Sequence, residues 1–318
     1  MIVTLAGGVG AARMLMGLCA VMDPSDIVAV VNTGDDTVMH GLHISPDLDT
    51  VTYTLAGLND DERGWGLAGE TWGAMESLER LGGAAWFRLG DHDLATHLFR
   101  TQRLSEGATL SEVTAGITAA LGVGVRLLPM TDGPVRTRLT LVEGPEISFQ
   151  EYFVAHRHAV AVRSVRFEGA DSSTPAPGVL DAIDTAEVVV VCPSNPIVSI
   201  GPILAVPGVA AALAARRAEV VAVSPIVAGT ALKGPADRLM TELGHEATVV
   251  GVARAYAGFV GTLVIDDADG ALADAVEACG VRCVVAPTVM HTPAHAAELA
   301  SLLLDAGRPS GAAHGARR

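Results

Sequence analysis

The sequence predicts an α/β fold: a mostly parallel sheet with an inserted, mainly helical smaller domain. Two observations predict it. Short apolar, β-branched runs alternate with segments of helical period at the N-terminus and again through the second half of the chain. Polar residues gather where two of those runs end, the edge at which open α/β sheets bind ligands. Composition agrees, because 318 residues that are 50% hydrophobic and 18% charged can bury a large core in one or two domains.

Taken in order, residues 2–5 read as a strand, Ala6-Gly7-Gly8-Val9-Gly10 as a glycine turn, and residues 11–20 as a helix. A second strand, residues 27–31, ends in Asn32-Thr33-Gly34-Asp35-Asp36. Pro46 then marks a turn, with Asp47 or Asp49 at the start of a helix running to Ala56. From about residue 60 to residue 166 the pattern becomes helical. Thr109-Leu110-Ser111-Glu112 forms a capping box ahead of a helix over 113–121, and residues 135–142 read as a strand inside this region. Strands return at 187–192, 220–223, 248–252, 263–265 and 281–285, with helical stretches between several of them. The expected division is a core of residues 1–60 and 167–306, an inserted subdomain of 61–166, and a disordered tail of 307–318 rich in Gly, Ala and Arg.

Charge narrows the function. With 21 basic against 36 acidic residues, a net charge of -15, the chain has the wrong sign for a nucleic-acid backbone, so any anionic ligand must be held locally. Mean hydropathy is +0.40, yet the most apolar stretch, 197–214, is broken by Gly201, Pro202, Pro207 and Gly208 and leads into Arg216 and Arg217. A soluble protein with no membrane partner is expected. The N-terminus shows no basic region or cleavage signal ahead of the glycine turn, which predicts a cytoplasmic location. Cys19, Cys192, Cys279 and Cys283 include one C-x-x-x-C and no second pair, a pattern of reduced thiols rather than of a metal site. Lys233 is the one lysine, and the preference for arginine reflects genome composition.

Several clusters carry chemistry. Gly7, Gly8 and Gly10 let the backbone approach a phosphate at a helix N-terminus, although no Gly-Lys-Ser/Thr follows and the third glycine of a dinucleotide fingerprint is missing. Tight strand-to-helix packing explains the same glycines without a ligand. Arg13 faces either a phosphate or solvent. Asp35, Asp36, Asp47 and Asp49 fall within fifteen residues; they either cap a helix or surround a cation, and an all-oxygen cluster beside a phosphate site suits Mg²⁺. Trp86-Phe87-Arg88-Leu89-Gly90-Asp91-His92-Asp93 combines rings with a guanidinium, which suits a flat heterocycle. Its simpler reading is a packed Trp with Asp91 or Asp93 capping a helix over 94–103. Trp65 and Trp72 read mainly as packing. Ser194, Asn195 and Ser199 lie in a proline-stiffened loop that can offer hydroxyls and an amide to a base or phosphate; no G-x-S-x-G elbow makes a serine nucleophile. His291 lines the same edge or merely precedes the last helix.

Taken together, residues 5–10, 32–36, His40-Gly41-Leu42, Asp47-Leu48-Asp49-Thr50, Gly64-Trp65-Gly66, 86–93 and 193–204 resemble the 2-phospho-L-lactate transferase family of coenzyme F420 biosynthesis, in particular its actinobacterial phosphoenolpyruvate branch. The resemblance implies a Rossmann-like core with a second domain, a homodimer, and a Mg²⁺ requirement. It implies transfer of a phosphoenolpyruvyl or 2-phospho-L-lactyl group from a guanosine diphosphate-linked donor to the deazaflavin Fo, giving dehydro-F420-0 or F420-0 and GMP. Asp49 matches the family's deazaflavin-binding aspartate and Arg88 its deazaflavin-binding basic residue, often Lys in relatives. The expected site therefore has Asp49 and Asp47 as catalytic residues and Asp35, Asp36 and Asp47 around the metal. Gly7, Gly8, Gly10, Arg13, Ser194, Asn195, Ser199, Asp49 and Arg88 are expected on substrates. The arginine-rich composition leans toward the phosphoenolpyruvyl donor. Two other classes compete: a non-enzymatic nucleotide-sugar-binding regulator of similar fold, and an NAD-dependent oxidoreductase. The Pro46-Asp47-Leu48-Asp49 segment argues against the first and the missing third glycine against the second.

Overall fold

The computed structural model describes residues 1–308; the predicted disordered tail falls almost wholly outside them. Its described start differs from expectation, because Gly307 is buried at the end of the last helix rather than in a tail.

A seven-stranded sheet organises the chain. Its members are β1 (Ile2–Ala6), β2 (Ile27–Val31), β5 (Arg126–Pro129), β9 (Val189–Val191), β10 (Val220–Val223), β13 (Thr262–Ile265) and β14 (Arg282–Val285), in spatial order β14-β13-β10-β9-β1-β2-β5. Every pairing is parallel. The order runs outward in both directions from β1 and β9, so the chain reverses between them, and a crevice opens there at the strands' carboxyl ends. Three small antiparallel sheets complete the strands: β3 (Thr37–Met39) with β4 (Leu42–Ile44), β6 (Arg136–Leu141) between β7 (Glu146–Ser148) and β8 (Val162–Glu168), and β11 (Ile226–Val227) with β12 (Thr230–Ala231).

Both faces of the large sheet are covered, as purely parallel sheets require. Alternation along β1 shows how: Val3 and Leu5 join one core with Val189, Val220 and Leu263, while Ile2 and Ala6 join the other with Met14, Leu15 and Leu18. That second core packs α1 (Gly8–Val21), α2 (Pro46–Leu55) and α12 (Pro293–Gly307) on one side of the sheet. The other face receives α6 (Val179–Thr185), α7 (Gly201–Ala205), α8 (Val209–Ala215), α9 (Ala236–Glu242) and α10 (Val249–Tyr256), followed in the chain by α11 (Ala273–Glu277). The apolar stretch near residue 200 is a bent pair of short segments, Pro196–Ala205 and Val209–Ala215, at 94°; no single helix among the described residues is long and apolar enough to cross a membrane.

Residues 61–166 contain α3 (Gly73–Arg80), α4 (Asp93–Ser105) and α5 (Leu110–Ala120), but also β5, which belongs to the central sheet, and the β6–β7 hairpin. Only four residues long, β5 lacks enough alternation to stand out beside α5. A second difference lies at 248–252, expected as a strand and found as the first turn of α10. Thr248 caps that helix by accepting from Gly251 N–H, and its buried Val-Val-Gly-Val run is too short for periodicity to separate strand from buried helix. The capping box at Thr109 and Glu112 forms as expected.

Candidate active site

Where β1 ends, the chain turns through Gly7 directly into α1, and two loops close on that turn. Ser194, after β9, donates its hydroxyl to Gly7 C=O at 2.8 Å and accepts from Gly7 N–H at 3.3 Å. A Cβ on Gly10 would lie 2.4 Å from Pro193 O, and one on Gly7 would lie 2.7 Å from Ser199 Cβ and 2.9 Å from Asp47 Oδ2. The glycines are therefore required by close packing of the two sheet halves as well as by any ligand. Asn195 spends its side-chain oxygen on Ile197 and Val198 N–H groups, capping the turn Pro196–Ile200, so its expected contact with substrate competes with a structural one.

Asp47 enters from the first turn of α2, where Pro46 begins the helix. Asn32, fully buried at the end of β2, donates to Asp47 Oδ2 at 2.9 Å and accepts from Gly34 N–H at 2.8 Å. One amide thus fixes both the carboxylate and the turn that carries Asp35 and Asp36. Burial pushes Asp47 up to about 6, opposed by the hydrogen bonds from Asn32 and Gly8. Burial pushes Asp36 up to about 7, opposed first by Ser45, whose hydroxyl donates to Asp36 Oδ2 at 2.8 Å. Asp35 is raised well above the usual carboxylate range by burial and then by the charge of Asp47. Oδ1 of Asp35 and Oδ1 of Asp36 are buried and lack any hydrogen-bond partner. Both residues border a cavity of about 250 Å³ shared with Arg136, Phe149 and Gln150.

Asp49 has a different environment. Arg100, on α4, grips both of its carboxylate oxygens, Nη1 to Oδ2 at 3.1 Å and Nη2 to Oδ1, and Nη1 also reaches His43 C=O at 3.3 Å. The same Nη1 lies 3.2 Å from His97 Nδ1. His97 Nε2 lies 3.1 Å from Asp93 Oδ2, and Tyr53 donates its hydroxyl to Asp93 Oδ1 at 2.5 Å. Asp49, Asp93 and His97 are close enough to share an ion, but Arg100 already supplies the positive charge there.

The aromatic segment folds back over the β3–β4 hairpin through Leu89, which is buried with Ile44 and Met75. Arg88 is exposed and stacks on Trp72 at 5.0 Å; Arg63 stacks on the same ring at 5.1 Å, so Trp72 contacts two guanidiniums. Asp91 does not cap α4. It accepts from Gly73 and Ala74 N–H at the start of α3, whereas Glu70 accepts from His92 and Asp93 N–H at the start of α4. The two chain segments cap each other's helices, and Asp93 is left to face Tyr53 and His97. Arg13 is exposed on α1 and has no ion pair among the described residues. His291 is exposed just ahead of α12, whose cap is Thr292.

The structure thus brings Gly7, Gly8, Asp35, Asp36, Asp47, Ser194 and Ser199 to one crevice, with Asp49, on the same turn of α2, bound to Arg100 and with Arg88 stacked on Trp72. Sequence reasoning missed Asn32, Arg100 and His97. For the last two a signal existed, because Asp93, His97 and Arg100 recur at helical spacing on one face of α4.

Comparison with known proteins places the crevice in context. Residues 2–287 match the family described as 2-phospho-L-lactate transferase CofD. The chain is 46% identical over 309 residues to a phosphoenolpyruvate transferase of Kitasatospora aureofaciens, covering 95% of this chain and 96% of that protein. It is 43% identical to a phosphoenolpyruvate transferase of Nocardia farcinica, with 96% and 94% covered. Among solved structures, protein BH3568 of Bacillus halodurans, described as a member of the upf0052 family, superposes with a TM-score of 0.61 at 17% identity, covering 95% of this chain and 98% of that one. That likeness shows the fold.

Proposed function

The chain belongs to the 2-phospho-L-lactate transferase CofD family, and from that premise we propose that it moves a phosphoenolpyruvyl (or 2-phospho-L-lactyl) group from a guanosine diphosphate-linked donor to the deazaflavin Fo, releasing GMP. The observation that carries this reading is the seating of the Asp47 carboxylate against the glycine turn, held there by Asn32. An acceptor-handling acid and a phosphate cradle then share one crevice. The reading takes the chain as a cytoplasmic homodimer, as the family resemblance implies.

Mg²⁺ fits the residues present. Asp35 and Asp36 each have a buried carboxylate oxygen without a partner, and an all-oxygen donor set of this kind suits that ion. Asp35 and Asp36 would hold it, leaving Asp47 to the acceptor hydroxyl, and when bound it would neutralise charge on the donor's phosphate oxygens. Backbone N–H groups at the start of α1 face the transferred phosphate. The acceptor hydroxyl attacks the phosphorus bearing the three-carbon acid, the bond to the GMP oxygen breaks, and Asp47 orients the hydroxyl and receives its proton. Asp49, with both oxygens on Arg100, is a fixed anchor for the deazaflavin rather than a base. Arg88, exposed on Trp72, offers the second contact to that ring system.

Fo fluorescence titrations with and without Mg²⁺, followed by mass analysis after adding the guanylated donor, test the reading. Wild type is expected to bind Fo saturably and to release GMP with an Fo adduct, and Asp49→Ala and Arg88→Ala to lose Fo binding. Fo binding and turnover left intact in both variants would remove those residues from the site. No binding and no product in wild type would favour a non-enzymatic nucleotide-binding protein of the same fold.

A further inference from the structure

We propose that Arg100 is a positioning residue for the acceptor: it takes Asp49 out of the acidic cluster, fixes the carboxylate on which the deazaflavin docks, and ties that contact through α4 to the segment carrying Arg88. This rests on the transferase reading above.

Of the acids Asp35, Asp36, Asp47 and Asp49, Asp49 alone forms an ion pair among the described residues. Two nitrogens of Arg100 each take one of its oxygens, Nη1 to Oδ2 at 3.1 Å and Nη2 to Oδ1, and a fork of this kind sets the plane of a carboxylate as well as its place. Both partners are buried, Arg100 at 2% exposure and Asp49 at 6%. The pair is one of two rungs between α2 and α4. One turn further along α2, Tyr53 donates to Asp93 Oδ1 at 2.5 Å, and His97 is buried between the rungs, 3.8 Å from Asp49 Oδ2 and 3.1 Å from Asp93 Oδ2. α4 also holds β4 by both backbone groups of His43: Thr101 Oγ1 accepts its N–H at 2.8 Å and Arg100 donates to its C=O at 3.3 Å. Asp93 begins α4 five residues after Arg88, so one helix joins the two acceptor contacts.

Stability does not explain the fork. Both charges must leave water to form it, and apolar side chains of the same volume serve a fold as well or better. Leu48 and Val51 on the same helix already join the core beside it. An apolar pair, however, offers nothing to a ligand. Each carboxylate oxygen has two lone-pair directions; the fork uses one on each, and no other side chain or backbone group among the described residues donates to Asp49. The directions left over suit the hydroxyl donors of the acceptor. Asp47, two residues earlier, is directed instead to the glycine turn by Asn32, so two neighbouring acids of one helix are assigned to separate tasks by an amide and a guanidinium.

The test is a double-mutant cycle on the full chain, with Fo binding read by fluorescence and GDP binding by calorimetry in wild type, Arg100→Lys, Asp49→Asn and the double variant. Arg100→Lys keeps the buried charge and removes the fork. It is expected to raise the Fo Kd about tenfold and to leave the GDP Kd within about twofold. In the Asp49→Asn background the same substitution is expected to change the Fo Kd by less than about twofold, because Arg100 acts through Asp49. In turnover, KM for Fo should rise with the Kd while kcat falls much less. Wild-type Fo affinity in Arg100→Lys, or an undiminished tenfold loss on top of Asp49→Asn, would overturn the assignment and leave the transferase reading standing. Loss of Fo and GDP affinity together marks a damaged fold. Asp49→Asn combined with Arg100→Gln, which removes both buried charges, then decides: an Fo Kd equal to that of Asp49→Asn alone supports the assignment, and a further tenfold loss with GDP affinity kept overturns it. If wild type itself does not bind Fo, both readings fall.

Discussion

Asp36 illustrates how a single side chain can store sensitivity to a ligand. In the unfolded chain it ionises near 3.8, whereas in the fold burial raises it to about 7, so across that window the folded chain holds the extra proton and stability falls as pH rises. Metal-free wild type is therefore expected to lose about 2 kcal/mol more than Asp36→Asn between roughly pH 5 and pH 7.5, measured by urea unfolding. Adding Mg²⁺ near pH 7.5 should restore most of the difference in wild type and little in the variant. Equal pH profiles for the two proteins would show that Asp36 is not the strained group. At this scale the acids of the site were legible in the sequence, because four carboxylates cannot crowd fifteen residues without a reason. The groups that balance them were not. Asn32 acts through an amide fixed by the turn after β2, and Arg100 reaches Asp49 from 51 residues away, a pairing created by tertiary packing alone.

Among elements, helix starts were the most readable. Thr109 and Glu112 form both halves of their capping box, and Thr109→Ala is expected to cost about 1 kcal/mol in thermal or urea unfolding. Thr248 caps α10 with one bond at 3.3 Å and no reciprocal acid, so Thr248→Ala should cost less; the reverse ranking would mean that the box at Thr109 contributes little. That same threonine marks where element reading failed. A polar residue ahead of a valine run signals a strand as well as a cap, and what decides for helix is the core formed by Val249, Val250 and Val252 with Tyr256. Asp91 and Glu70 failed in another way. Each caps the other segment's helix, and local sequence carries no mark of which helix an acid serves.

Across the whole molecule, stability should be uneven. Strands β1, β9 and β10 lie between two large cores, whereas the hairpin β3–β4 with α3 and the segment 86–93 share a small one built on Ile44, Met75 and Leu89. Hydrogen exchange is expected to be slowest in those three strands and to proceed through local opening over residues 57–92, with slowing there when Fo and GDP bind. Exchange of both regions at one common free energy would show that the lobe does not open by itself. The parallel order was foreseeable from alternation of strand and helix; which strands flank the reversal was not, since that is a property of the assembled sheet. The bonds between Ser194 and Gly7 join positions 187 residues apart. On a ribosome, the glycine turn would leave the exit tunnel long before its partner loop is synthesised, and β1 would wait without β9 beside it. The crevice is then complete only with the second half of the protein, so a truncated or stalled chain presents the glycine turn without the loop that holds it.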